Sequence, residues 1–364
     1  MNPTTIRALH VRALDIPLIE PFAIATGAQP IAQNVLVGVE INDGSIGWGE
    51  AAPFPAVTGE TQAQTLTALE HLRPAIVGQD VQRRRAIIAA MRALEPKAAA
   101  AQCAVEMAVL DALTKRLGIP LWSFFGGAGT ELDTDMTITA GTVAHAATSA
   151  HAIVARGIHT IKIKIGGEPG IDLERIAAIH AAAPAAPLIL DGNCGYDAPG
   201  ALRLLAALHE RSIAIALFEQ PTARHDWDGL ARVTREGGVP VAADEAVTTA
   251  ADALEAVRRG AGTCVNIKLM KCGIAEAFNI ASVCRAAGLN LMIGGMVESI
   301  LAMTVSAHFA AGLGGFGFVD LDTPMFMAEQ PFTGGFAQTG GRLSVAHVAG
   351  GHGVTPLDAI SKQT

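Results

Sequence analysis

Residues 161–165 alternate isoleucine with two lysines, Lys162 and Lys164. Side chains alternate between the two faces of a β-strand, so the lysines share one face and the isoleucines share the other. Such a strand is typical of a β/α barrel, where helices cover the outer face and the inner face lines a site. Neighbouring ammonium groups and partial burial both lower a lysine pKa from about 10.4 toward roughly 7–8, the range of a general base. The alternative is an exposed edge strand with solvated lysines.

Ionisable residues also stand at the ends of later apolar runs. A single carboxylate after a strand is most often a helix cap. The same placement in unit after unit is hard to obtain from capping alone, so we predict a ring of functional groups at the carboxyl ends of barrel strands. The residues of this ring are Lys164, Asp191, Glu219, Asp244, Lys268, Glu298, Asp320 and Asp322.

The order of these residues predicts their chemistry. Asp191, Glu219 and Asp244 follow three consecutive strands, and three carboxylates without histidine or thiolate favour one Mg²⁺. Lys164 and Lys268 end strands two and six, on opposite sides of the barrel. A substrate carboxylate held between the lysines would have a base on each face of its α-carbon. Proton loss would give an enediolate that the metal stabilises, so the pattern predicts a racemase or epimerase.

The elements that must position these groups begin after Gly126-Gly127. Short apolar runs alternate with alanine-rich amphipathic segments, which predicts a closed β/α barrel of the modified TIM type over residues 126–323. An open doubly wound sheet is the competitor, but no phosphate-binding GxGxxG follows the first strand. Residues 324–364 hold Gly-Gly turns, and we expect them to pack on the N-terminal domain. The predicted barrel strands are residues 135–140, 159–165, 187–191, 213–219, 239–244, 263–268, 289–293 and 316–321.

Residues 1–125 predict an α+β capping domain. An Asn42-Asp43-Gly44 hairpin turn joins two strands of an antiparallel meander, and residues 21–28 read as a loop. Apolar spacing of three and four over residues 62–117 predicts helices, with Gly118 as a stop signal. The predicted strands of this domain are residues 6–16, 34–41 and 45–50.

Composition excludes several classes of function. The chain is half hydrophobic with mean hydropathy +0.36, and its 364 residues suit two domains. The net charge is −8 and the sequence has no run of basic residues, so it predicts no positively charged surface for nucleic acid or an anionic membrane. No signal-peptide core or membrane span is apparent, and the five cysteines lack CxxC spacing, which favours a reducing cytoplasm. We therefore expect a cytoplasmic protein that acts on a small molecule, and homo-oligomerisation stays open.

Five motifs resemble those of the enolase superfamily, in the muconate-lactonizing enzyme subgroup, and the resemblance extends over essentially the whole chain. It implies Mg²⁺ on Asp191, Glu219 and Asp244, with Lys164 and Lys268 as the acid/base pair. It also implies that Lys162 contacts the substrate carboxylate and lowers the pKa of Lys164. The motifs are Lys162-x-Lys164, Asp191-Gly192-Asn193, Glu219-Gln220-Pro221, Asp244-Glu245 and Asn266-Ile267-Lys268.

Asp320-Leu321-Asp322 looks like the DxD signature of the dipeptide epimerases within this subgroup, where two aspartates hold the α-ammonium group of the substrate. Members specific for Ala-Glu can carry an arginine in the early loop, and residues 23–29 hold no basic residue. Apolar or broad dipeptide specificity is therefore favoured over Ala-Glu. The resemblance also implies that loops near Thr26 and residues 53–61 shape the side-chain pocket. The other substrate contacts that it implies are Thr137, Met296 and Glu298.

Two other classes of protein are alternatives to a dipeptide epimerase. A cycloisomerase or an o-succinylbenzoate-synthase-type lyase would use the same ring, but those substrates carry no α-ammonium group for Asp320 and Asp322. A non-catalytic barrel is disfavoured because every acid, base and ligand position holds a competent residue. Lys271 follows the sixth strand, and we expect it to face solvent.

Overall fold

The computed structural model describes residues 2–24, 27–166 and 169–360. Its N-terminal part opens with a three-stranded antiparallel sheet whose strands lie in chain order, and the predicted turn at Asn42-Asp43-Gly44 lies between the second strand and the third. The prediction of a loop over residues 21–28 is wrong for their described part. The ladder resumes after an irregularity between Pro17 and Phe22, so that Phe22 pairs with Gln29. The strands are β1 (Ile6–Ile24), β2 (Gly27–Ile41) and β3 (Ile46–Ala51).

Helices follow the sheet, and the longest of them lies in its core. Residues 100–114 of that helix are all buried, and it ends at Gly118 in the left-handed conformation, as predicted. Strand β3 packs on this helix so closely that a Cβ on Gly49 would lie 2.0 Å from the carbonyl oxygen of Ala104. Only glycine fits there. The helices are α1 (Pro55–Thr58), α2 (Gln62–Ile76), α3 (Arg84–Leu94), α4 (Ala99–Leu117) and α5 (Leu121–Phe124), with a 3₁₀ turn at Val81–Arg83.

Eight parallel strands form the second sheet, each hydrogen-bonded to its neighbour in the sequence. Asp135 directly precedes the first of these strands, and its backbone N–H donates to Val319 O of the eighth strand at 2.9 Å. This hydrogen bond connects the two ends of the sheet. The predicted barrel with its N-terminal α+β domain is confirmed. Seven of the eight strands are shorter than predicted because the flanking residues connect to helices, and the seventh keeps its predicted length but is shifted by one residue. After β4 (Glu131–Asp133) they are β5 (Met136–Ile138), β6 (Ile161–Lys164), β7 (Leu188–Asp191), β8 (Leu217–Glu219), β9 (Val241–Ala243), β10 (Cys264–Lys268), β11 (Asn290–Gly294) and β12 (Phe316–Val319).

Helices cover the outside of this sheet, and all four residues of β6 are buried. Its isoleucines belong to the large apolar core, which excludes the exposed edge strand as an interpretation of β6. The barrel helices are α6 (Val143–Ala155), α7 (Pro169–Ala182), α8 (Ala198–Glu210), α9 (Trp227–Glu236), α10 (Ala250–Arg259), α11 (Leu269–Cys272), α12 (Ile274–Ala286) and α13 (Ile300–Leu313).

The C-terminal segment contacts both parts of the molecule. Ala328 N donates to Pro17 O at 2.9 Å, while the strand Arg342–Ser344 pairs with β4 beside the barrel. No helix in the described ranges combines the length and apolar character needed to cross a membrane. All five cysteines are free. The elements are a 3₁₀ turn at Thr323–Phe326, then β13 (Phe332–Gly334), β14 (Ala337–Thr339), β15 (Arg342–Ser344), β16 (Val354–Pro356) and α14 (Leu357–Ile360).

Candidate active site

The barrel brings the predicted acid/base lysines and metal ligands to one end of the sheet. The parallel register places Lys164 beside Asp191 and Asp191 beside Glu219. Asp244 directly follows β9, and Lys268 ends β10. All five side chains are buried. Residues far apart in sequence therefore share one enclosed, highly charged space.

Each of the three predicted metal ligands has one carboxylate oxygen held by a donor outside the centre and the other turned inward. The inward oxygens lie 2.7–2.9 Å from lysine ammonium groups. This arrangement fixes the rotation of each carboxylate and points one oxygen of each at a common space. The outer donors are Asn193 N for Asp191 (3.1 Å), Asn266 Nδ2 for Glu219 (2.7 Å) and Lys271 Nζ for Asp244 (2.5 Å).

Lys162 lies fully buried among three carboxylates. Its Nζ is 2.9 Å from Asp191 Oδ2, 2.7 Å from Glu219 Oε2 and 2.6 Å from Asp320 Oδ2. Burial opposes the charge of this ammonium group, but the carboxylates outweigh burial and raise the pKa of Lys162 above its usual value. The predicted lowering by lysine–lysine repulsion is therefore wrong for Lys162. Carboxylates on other strands decide its charge.

Lys164 and Lys268 face the same cavity from β6 and β10. Lys164 Nζ is 2.7 Å from Asp191 Oδ2, and Lys268 Nζ is 2.7 Å from Asp244 Oδ2. Burial opposes the charge of Lys268, but Asp244 and then Glu219 outweigh it and raise the pKa of Lys268. Three strands separate β6 from β10 in the sheet, so the two amines approach the cavity from different sides.

Lys271 is buried, and the prediction that it faces solvent is wrong. Helix α11 begins directly after Lys268, so a residue three positions later lies on the same side of the helix. Lys271 Nζ consequently donates to Asp244 O and Asp244 Oδ1, both at 2.5 Å, and to Asn266 O at 3.0 Å. The helix start immediately after the strand was the signal that could have placed this residue.

The DxD pair lies at the eighth strand, beside a third acid that the sequence analysis missed. Asp322 Oδ2 accepts the backbone N–H of Thr137 at 2.6 Å. Burial and the neighbouring Asp320 raise the pKa of Asp322 to about 7. Asp135 is buried, and neither of its carboxyl oxygens has a hydrogen-bond partner among the described residues. Asp135 and Thr137 are two positions apart in the predicted strand 135–140, so both side chains are expected on the same face. This spacing was the signal that could have placed Asp135 in the site.

Asp135, Asp320 and Asp322 have ligand atoms within 4.8 Å of one another. Among the described residues, these three carboxylates form a cluster close enough to bind one metal ion together. The predicted metal ligands, in contrast, have lysine ammonium groups between them. Lys162, for example, lies within 3 Å of both Asp191 and Glu219. The DxD region is thus a dense anionic patch suited to a cationic group.

The loop after β11 carries Met296 and Glu298. Met296 lines the cavity, while Glu298 is fully buried and accepts the backbone N–H of Met296 at 2.8 Å. Burial raises the pKa of Glu298 to about 8. Asn34 of the N-terminal domain donates to Val297 O at 2.9 Å and so fixes this loop from across the domain boundary. Sequence reasoning did not find this contact, because nothing local in the sequence pairs the two segments.

The cavity at the mouth has a volume of about 20 Å³ and is lined from both domains. Phe22, Phe54 and Val57 close it from the N-terminal side. Among the predicted substrate contacts, Thr26 lies outside the described residues. Those that line the cavity are Thr137, Met296, Asp320 and Asp322, together with both acid/base lysines.

The donor set of Asp191, Glu219 and Asp244 fits a hard divalent cation such as Mg²⁺. Carboxylate oxygens are the ligands that Mg²⁺ prefers. Glu219 Oε2 is buried and accepts no hydrogen bond from the described chain, although Lys162 Nζ is 2.7 Å away. Burial and the neighbouring Asp191 raise the pKa of Glu219 to about 8. A further cation beside these carboxylates would relieve that crowding.

Two family descriptions together match nearly the whole chain. Residues 6–126 match the mandelate racemase/muconate lactonizing enzyme N-terminal domain, and residues 145–360 match the enolase C-terminal domain-like family. The chain belongs to the enolase superfamily. The fold and the superfamily membership expected from the motifs are confirmed.

Relatives within the enolase superfamily are similar over their full length. An aromatic dipeptide epimerase of Herpetosiphon aurantiacus is 57% identical, with 97% of this chain and 99% of the relative covered. A crystal structure of a mandelate racemase/muconate lactonizing protein from the same organism has a TM-score of 0.95 at 56% identity, covering 98% and 99% of the two chains.

A dipeptide epimerase from Enterococcus faecalis, crystallised with Mg and L-Leu-L-Tyr, has a TM-score of 0.93 at 35% identity and covers 96% and 99% of the two chains. The predicted enzyme class, an isomerase of the epimerase type, is confirmed by these enolase superfamily relatives.

Proposed function

We propose that this protein is a Mg²⁺-dependent dipeptide epimerase that inverts the α-carbon of the C-terminal residue. The observation that carries the proposal is the placement of Lys164 and Lys268 on one cavity, each amine 2.7 Å from a carboxylate of the predicted metal site. The dipeptide epimerases of Herpetosiphon and Enterococcus support the reaction class. The Mg in the Enterococcus complex supports the choice of metal.

Asp191, Glu219 and Asp244 would hold one Mg²⁺ beside the substrate carboxylate. The bound ion would supply positive charge where negative charge develops on loss of the α-proton. Lys162 adds a second positive charge nearby, because three carboxylates keep it protonated. We assign Lys162 to the substrate carboxylate on this basis.

The two-base scheme assigns one lysine to each face of the α-carbon. A neutral amine on one face removes the α-proton, and the ammonium group on the other face returns a proton from the opposite side. Lys164 and Lys268 exchange these roles between the two directions of the reaction. Both lie within hydrogen-bonding distance of carboxylates, which hold the amines in position against the cavity.

Asp320 and Asp322 would hold the α-ammonium group of the dipeptide. Both line the cavity, and Asp322 Oδ1 has no hydrogen-bond partner in the described chain. Thr137 N holds the other oxygen of Asp322, so the carboxylate keeps a fixed orientation. Charge-assisted hydrogen bonds from an ammonium group would satisfy these buried acceptors.

The side-chain preference that we propose is for apolar dipeptides. Three apolar residues of the N-terminal domain, Phe22, Phe54 and Val57, close the cavity, and Met296 joins them from the barrel. Aromatic and aliphatic surfaces favour an apolar substrate side chain over a carboxylate. The aromatic specificity named for the Herpetosiphon relative and the L-Leu-L-Tyr in the Enterococcus complex agree with this preference.

The test is incubation of L,L-dipeptide pools with the protein and Mg²⁺ in D₂O, scored by mass for gain of one deuteron. We expect uptake in pools with an apolar C-terminal residue and little uptake with Ala-Glu. The Lys164→Ala/Lys268→Ala double variant is the control and should show none. Absence of uptake in every pool with the wild-type protein would contradict the epimerase and favour a cycloisomerase or lyase.

A further inference from the structure

The geometry points to Lys271 as the residue that positions Asp244 for metal binding. This inference rests on the proposed metal site and assigns to that site a residue that does not line the substrate cavity. Lys271 is thus a positioning residue, acting through Asp244.

The contacts of Lys271 use all three of its ammonium donors. Two go to Asp244, one to the backbone oxygen and one to Oδ1, and the third goes to Asn266 O. The side chain is buried, so water does not compete for these bonds. Bonding to both the backbone and the carboxylate of one residue fixes the χ torsions of Asp244 and leaves Oδ2 as the oxygen that faces the centre.

Asp244 is the one predicted metal ligand whose outer oxygen is held by a charged donor. The outer oxygens of the other two accept hydrogen bonds from neutral groups, a backbone N–H of Asn193 and the amide of Asn266, although Lys268 Nζ lies 3.8 Å from the outer oxygen of Glu219. The inner oxygen of Asp244 faces Lys268 Nζ at 2.7 Å. Lys271 holds the opposite oxygen from a position that does not line the cavity.

Removal of Lys271 would free the Asp244 carboxylate to rotate and leave Oδ1 buried without a donor. Outer hydrogen-bond partners of metal ligands typically contribute 10–100-fold to metal affinity. We expect Lys271→Met to weaken Mg²⁺ binding within that range. Lys271→Gln keeps a donor but loses the charge, so it should fall between Lys271→Met and the wild-type protein.

The experiment is a titration of the thermal midpoint with Mg²⁺ for the wild-type protein, Lys271→Met and Lys271→Gln. The midpoint rises when an ion binds the folded state, and the concentration at which the rise begins reports the affinity. Lys97→Met is the matched control, because Lys97 is an exposed lysine of the N-terminal domain and its loss should leave the titration unchanged. The epimerisation rate at saturating Mg²⁺ is measured in parallel.

A Kd for Mg²⁺ raised by about 10-fold or more in Lys271→Met supports the inference. A Kd within twofold of wild type, or a tighter one, overturns it while leaving the metal site intact. If Lys271→Met does not fold, the Kd of Lys271→Gln for Mg²⁺ tests the inference, and a Kd higher than that of the wild-type protein supports it. A wild-type protein with no Mg²⁺-dependent rise overturns both this inference and the proposed metal site.

Discussion

Glu50 of the N-terminal domain accepts the backbone N–H of Ser299 at 2.9 Å and its hydroxyl at 2.5 Å across the boundary with the barrel. The same carboxylate accepts Ala302 N at 3.1 Å and the amide of Asn34 at 2.6 Å. Ser299 is the N-cap residue of α13, so Glu50 satisfies N–H groups that the first turn leaves free. One residue of the N-terminal domain thereby anchors the loop that carries Met296.

Glu50→Gln should lower both stability and activity. The glutamine NH₂ group would face donors of Ser299 and Ala302, leaving a buried mismatch that costs about 1–3 kcal/mol in the free energy of unfolding. We expect a lower kcat/KM as well, because the loop after β11 loses its anchor. Denaturant unfolding and steady-state kinetics measure the two effects. Glu40→Gln, at a half-buried glutamate paired with Arg7, is the matched control, and equal losses in both variants would contradict the anchoring role.

Replacing either acid/base lysine should separate proton exchange from epimerisation. Lys268→Ala should abolish inversion while one enantiomer of the substrate still exchanges its α-proton with solvent through Lys164, and Lys164→Ala should retain exchange of the other. Loss of a group that transfers a proton typically costs a factor of about 10²–10⁴ in rate. Deuterium uptake from D₂O is measured for L,L- and L,D-dipeptides separately, because each diastereomer reports proton removal from one face of the α-carbon. The two-base scheme fails if inversion persists in the double variant.

Asp322→Asn should impair dipeptides more than N-acylated dipeptides, because the acylated analogue has no ammonium group to lose. A charge-assisted hydrogen bond contributes about 1.5–3 kcal/mol, so kcat/KM for the dipeptide should fall by roughly 10- to 150-fold. The comparison uses one dipeptide and its N-acetyl derivative with both proteins. Equal losses on the two substrates would remove the ammonium-binding role of Asp322.

The sequence predicted features that depend on local pattern. The alternation in β6 and the ionisable groups at strand ends were sufficient for the barrel and for the residues gathered at its mouth. The prediction for Lys271 is wrong because α11 begins directly after the strand and directs this side chain to Asp244.

Features that depend on distant partners were not predictable in this way. Burial and the nearby Lys164 predict a lowered pKa for Lys162, whereas carboxylates at the ends of three other strands raise it. The contacts of Asn34 and Glu50 with the loop before α13 join segments more than 200 positions apart, and no local pattern reports such a pair.

A buried acid at the junction of α4 and α12 should make stability fall with rising pH. Glu106 accepts Ala275 N at 2.8 Å, its other oxygen has no partner in the described chain, and burial raises the pKa of Glu106 to about 7. The unfolded carboxyl titrates near 4.5. The folded protein therefore keeps a proton that the unfolded chain loses between these values, and up to roughly 3 kcal/mol of stability is lost as pH rises from about 4.5 to about 7.

Glu106→Gln should remove this pH dependence, since the amide is neutral throughout and its oxygen can still accept Ala275 N. We expect the variant to match the wild-type protein near pH 4.5 and to exceed its stability at pH 8. Urea unfolding at several pH values measures the difference, in which other titrating groups cancel. Glu210→Gln, at the exposed end of α8, is the matched control for removing a glutamate that is not buried. A flat difference for Glu106→Gln would show that this carboxyl does not titrate with a raised pKa.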